Sequence, residues 1–177
     1  MKILTSIFIF VCLTLCGCKP ESVEVPFAFE FQDESDGCGT ILVRKLSVRQ
    51  TDAIYVNLDL SSGHDLSKLF AGTSDPLEFN LSSTQTVKCC WIEEFEGKPN
   101  SFRWGHFNFQ ENVRDRWIGT SGTITVRTYR MPEDQKILGF LTSIQLSNVV
   151  FQSSNTKRLT RLDSLSFTNV HVGWTPL

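Results

Sequence analysis

Apolar side chains recur at every second position through much of the chain after residue 26. Phe27, Phe29 and Phe31 alternate with Ala28 and Glu30; Ile54, Val56, Leu58 and Leu60 alternate with Tyr55, Asn57 and Asp59; Leu77, Phe79 and Leu81 repeat the pattern. A period of two sends neighbouring side chains to opposite faces of an extended backbone, so each run predicts a strand with one buried face. Residues 40–48, 87–95, 102–109, 123–131, 136–150 and 162–172 carry enough apolar and β-branched side chains for further strands. Leu138, Phe140, Ile144 and Leu146 form the core face of one of them. Turn chemistry separates these runs: 49–52 joins two strands into a hairpin, Gly97-Lys98-Pro99-Asn100 and Pro132-Glu133-Asp134 reverse the chain, and 155–158 turns it again. Residues 65–70 predict one helical turn, capped by Asp65 and stopped by Gly72. The polar stretch 111–117 predicts a loop or a short helix. No long helical period competes. Eight or nine short strands between Gly, Pro and Asp turns specify an all-β fold, an antiparallel β-sandwich, with a closed β-barrel as the alternative.

The amino-terminal segment departs from this pattern. Residues 3–15 are almost wholly apolar behind the positive Lys2, a length suited to a signal peptide and short of the about 20 residues that cross a bilayer. The run ends at Leu15-Cys16-Gly17-Cys18. These four residues resemble the cleavage and lipidation signal of bacterial lipoproteins, with Leu15 in the aliphatic place, Gly17 as the small residue before the cut and Cys18 as the lipidated cysteine. Cys12 and Cys16 match it less well, because the bulky Val11 and Leu15 precede them. The resemblance implies a signal peptide over 1–17, a diacylglyceryl group on Cys18 and a protein held at a membrane of the cell envelope. Lys19, where an inner-membrane retention signal has Asp, favours the outer membrane. A tether over 18–26 then leads into a single domain over 27–177. Together with Cys38-Gly39 and the closing Val172-Gly173-Trp174-Thr175-Pro176, the anchor is similar to small β-rich lipoproteins, a resemblance that brings no activity with it.

Removal of the signal leaves about 160 residues, the size of one ordinary domain. The 17 basic and 19 acidic residues leave the chain only weakly acidic, and no basic stripe points to nucleic acid. Cys38, Cys89 and Cys90 remain in the domain. An oxidising envelope favours a disulfide from Cys38 to one member of the vicinal pair, Cys90 by preference and Cys89 as the alternative, since a ring between adjacent residues is strained.

Candidate chemistry is sparse. Trp91, Glu93 and Glu94, with Arg103 and Trp104 across the turn at 97–100, form the best candidate recognition surface: indole rings stack on sugars or fill partner pockets, and carboxylates and Arg fix orientation. A solvated charged face of a hairpin is the simpler account of the same residues. A glycosidase needs two carboxylates converging across a cleft, and Glu93, Glu94, Glu96 and Glu111 show no such convergence in their spacing alone. His64, His106 and His171 accompany no Gly-x-Ser-x-Gly elbow. The acidic turn Asp33-Glu34-Ser35-Asp36-Gly37 misses the EF-hand spacing, and zinc spacing and phosphate-binding glycine loops are absent, so no metal or cofactor is expected. The expected protein is a non-enzymatic, membrane-anchored module that binds a protein or glycan; an envelope enzyme acting on glycans and an accessory or immunity-type lipoprotein are the alternatives.

Overall fold

The structure, a computed structural model, describes residues 22–39, 41–58, 75–82, 89–99, 112–131 and 139–172. The lipidation signal with Cys18, the helical turn at 65–70, the strand at 102–109 with Arg103 and Trp104, and the turn at 132–134 lie outside the described residues.

Among the described residues there are eight strands: β1 (Asp36–Cys38), β2 (Leu42–Leu46), β3 (Asp52–Asn57), β4 (Leu77–Asn80), β5 (Cys90–Phe95), β6 (Val113–Arg130), β7 (Phe140–Ser153) and β8 (Leu159–Val172). The fold is all-β and antiparallel. Its strands form one sheet in the order β1-β2-β3-β5-β6-β7-β8, with β4 paired to the second half of β6. The sheet curls until its two ends meet, so that the facing layers of the core belong to the same sheet: Lys45 on β2 lies with its Nζ 5.7 Å from the Phe167 ring on β8. One buried cluster fills the interior, with Val43, Ile54, Ile92, Ile124, Leu146 and Phe151 at its centre.

Strand β6 explains the curl. Its first half pairs with β5 and its second with β4, and the register with β7 slips between Gly119 and Ser121 and again between Ser121 and Thr123. Each slip is a bulge, which bends a strand and increases its twist. Gly122 adopts φ +115° there, and a Cβ on it would lie 2.7 Å from the Asn148 carbonyl oxygen. At the other end of the sheet, Gly37 lets β1 approach β8: a Cβ would lie 2.4 Å from Val170 Cγ1 and 2.7 Å from the His171 carbonyl oxygen.

The segment before β1 closes the remaining gap. The Val25 N–H donates to Leu159 O (2.7 Å), the Val48 N–H to Glu30 O (2.8 Å) and the Gln32 N–H to Leu46 O (2.9 Å), so the chain crosses from the start of β8 to the end of β2. The end of the expected tether is hydrogen-bonded to the start of β8: the Leu159 N–H donates to Val23 O (2.9 Å) and the Val25 N–H to Leu159 O. Phe27, Phe29 and Phe31 do share a face, with ring centroids 5.3 to 6.4 Å apart, and pack on the core without forming a continuous strand.

Two further expectations are corrected. Residues 113–117 are not loop or helix but the start of β6, and the cause is electrostatic, as the next section describes. The disulfide is absent: Cys38, Cys89 and Cys90 are free, buried thiols. Strands β2 and β3 lie between β1 and β5, which separates Cys38 from the pair by three strand spacings, about 14 Å, where a bridge tolerates about 7 Å. Cys38 also packs in a second cluster on the outer face, whereas Cys89 and Cys90 belong to the interior. Burial pushes the Cys38 and Cys89 thiols up to about 11 and raises Cys90 well above its ordinary value, which leaves little nucleophilic thiolate at neutral pH.

Candidate functional site

Strand β5 carries the candidate residues Trp91, Glu93 and Glu94, and its pleat divides them. Trp91 and Glu93 face outward with Tyr55, Ala53 and Phe95, whereas Glu94 shares the inner face with Ile92. The predicted surface is therefore two sites.

The outer site is buried. Glu93 is only 1% exposed, and Arg116, its cross-strand partner, donates to its Oε1 from Nε (3.0 Å) and Nη2 (2.6 Å). Tyr55 stacks on Trp91 with centroids 5.2 Å apart and planes 13° from parallel, on the same outer face. Burial nevertheless raises the Glu93 carboxyl above its ordinary value, outweighing the Arg116, Trp91 and Tyr55 contributions that lower it. Burial likewise pushes the Tyr55 hydroxyl up to about 12, aided by the Glu93 charge and opposed by Arg44. Such a group is an internal polar network rather than a surface that meets a partner.

The inner site opens to solvent. Glu94 accepts a hydrogen bond from Trp117 Nε1 (2.6 Å) and an ion pair from Arg114. On β6, then, Arg114 and Trp117 meet Glu94 on one face while Arg116 meets Glu93 on the other. Asp115 accepts from Ser153 Oγ (2.6 Å) and fixes the β7–β8 turn. These cross-strand pairs hold the polar start of β6 as strand, although its sequence lacks an apolar period.

Glu94, Arg114 and Trp117 form one wall of a pocket of about 290 Å³. The crossing segment contributes Val25, Phe29 and Glu30, the β2–β3 turn contributes Ser47, Arg49, Thr51 and Asp52, and β8 contributes Thr160. The turn is internally braced: Ser47 Oγ accepts the N–H groups of Thr51 (3.2 Å) and Asp52 (3.1 Å), and Thr51 Oγ1 donates to Asp52 Oδ2 (2.8 Å). The Phe29 ring meets Trp117 edge-on at 6.0 Å.

Of the predicted site residues that are among the described ones, the pocket holds Glu94 and neither Trp91 nor Glu93. Arg49, Asp52, Arg114, Trp117 and Thr160 were missed, although the Arg114-Asp115-Arg116 alternation matched against Glu93-Glu94 was a legible sign of cross-strand pairing. Glu93 and Glu94 point to opposite faces and do not form a carboxylate pair. No group of three or more His, Cys, Asp or Glu side chains among the described residues has metal-binding geometry, and no described helix is long and apolar enough to cross a membrane. No family model, curated protein or solved structure matches the chain.

Proposed function

We propose that the protein is a non-enzymatic binding module of the bacterial cell envelope, anchored through a lipid on Cys18, and that it captures a polar envelope component in the pocket between the β2–β3 turn and Glu94. The observation that carries the binding part is this pocket, whose polar walls are prearranged. The β2–β3 turn is braced by Ser47, and Glu94 is held by Trp117 and Arg114. Side chains fixed before a ligand arrives lose little entropy on binding it. The anchor rests on the resemblance of Leu15-Cys16-Gly17-Cys18 to a lipoprotein signal.

The intact mass of protein extracted from membranes tests the anchor: a chain beginning at Cys18 with added acyl mass is expected, and an unmodified chain overturns it. The binding part is tested by incubating soluble envelope glycan fragments with the extracted protein. Retention by the wild type that is lost in Arg49→Ala supports it; equal retention by both variants overturns the pocket. A change in fragment mass during incubation favours the enzyme reading instead.

A further inference from the structure

The charges and hydroxyls of this pocket narrow what can enter it, an inference that rests on the binding reading above. Arg114 is engaged by Glu94, and Asp52 by Thr51. Among the described residues, the side chains of Arg49 and Glu30, one charge of each sign, make no hydrogen bond or ion pair. Thr160 of β8 also lines the pocket; it is 1% exposed, and among the described residues its Oγ1 has no hydrogen-bond partner. An unpartnered buried hydroxyl is unfavourable and native proteins hold few of them, so each calls for an explanation.

We infer that the pocket takes a single neutral saccharide unit, held between Arg49 and Glu30 with Thr160 as a buried hydrogen-bonding partner. A net anion would meet the carboxylates of Glu30, Asp52 and Glu94; a net cation would meet Arg49 and Arg114. A sugar hydroxyl donates and accepts at once, so neighbouring ring hydroxyls accept from Arg49, donate to Glu30 and suit Thr160 in either role. Phe29 and Trp117 supply apolar surface for the C–H face of a pyranose. The volume, about 290 Å³, lies at the small end of ligand sites and suits one ring rather than a chain.

The test is an amide-resolved NMR titration of the full chain, in a detergent without a sugar headgroup, with methyl glucoside, N-acetylglucosamine, glycine and acetate as separate probes. Saturable shifts at Thr51 and Thr160 with a sugar are expected, weakened about fivefold or more in Arg49→Ala and in Thr160→Val. Thr160→Val exchanges an unpartnered hydroxyl for a methyl group of the same shape, so the unliganded variant should melt no lower than the wild type. A lower melting temperature would make Thr160 a packing residue and overturn its role. Shifts with glycine or acetate and none with a sugar overturn the saccharide while leaving the pocket a binding site. Silence with every probe overturns both, and sugar shifts unaltered in both variants place binding elsewhere and overturn the inference.

Discussion

Glu93 and Glu94 are one residue apart and serve opposite ends. Glu93, 1% exposed, is enclosed by Arg116, Tyr55 and Trp91 on the outer face; Glu94, with a side chain 14% exposed, steadies Trp117 and Arg114 at the edge of an open pocket. The same carboxylate therefore joins strands in one place and shapes a site in the other, and the pleat of β5 alone decides which. Charge runs in a strand are better divided by parity than treated as one surface.

Glu93→Ala should break this contrast most severely. It leaves Arg116 without its buried anion, and a loss of about 3 kcal/mol in urea unfolding is expected. The figure stays below that of a fully enclosed pair because the Arg116 side chain is 40% exposed and can turn to water. Glu94→Ala should cost only about 1 kcal/mol, since the abandoned Arg114 is solvent-exposed, yet it should abolish ligand binding by releasing Trp117. Equal destabilisation by the two variants, measured in parallel, would erase the distinction.

Acidity sharpens it further. Burial holds the folded Glu93 carboxyl above its unfolded value, so the folded chain binds that proton more tightly. The stabilisation is complete below the ordinary carboxyl range and is lost as pH rises through the raised folded value. Glu93→Gln carries no such proton. The wild type should thus lose stability relative to this variant as pH rises above the ordinary carboxyl range and through the raised folded value. A wild-type-to-Gln difference that is flat across a pH series of unfolding curves would disprove the Glu93 shift.

Tyr55 reports on the same enclosure without mutation. The chain has two tyrosines, and Tyr55 should ionise only near pH 12, or on unfolding, in a titration followed at tyrosinate absorbance. Ionisation of Tyr55 in the ordinary tyrosine range would mean that the outer face is open. The smallest expected effect concerns the thiols: with Cys38, Cys89 and Cys90 free, a reducing agent should leave the melting temperature unchanged, and a drop would restore the disulfide.

Much of the architecture was legible from alternation. Ile54 and Val56, Phe79 and Leu81, and Ile144 and Leu146 all point into the core as their period of two requires. Tyr55 was assigned to a solvated face and is buried, because period shows which residues share a face and not what covers the other one. The start of β6 was illegible for a related reason: Arg114 to Trp117 have no apolar rhythm, and their strand is held by partners more than twenty residues earlier. The pocket was hidden more thoroughly still. Arg49, Glu94 and Thr160 meet only because the sheet curls and the segment before β1 crosses its seam, and such long-range closure leaves no local trace.

That crossing segment has a topographic consequence. Val25 lines the pocket, and an extended chain advances at most about 3.6 Å per residue. With the proposed lipid on Cys18, the seven residues to Val25 span no more than about 25 Å. The binding site would then hang close over the bilayer, within reach of head groups and other membrane-bound molecules, rather than facing the open aqueous space at the end of a long stalk.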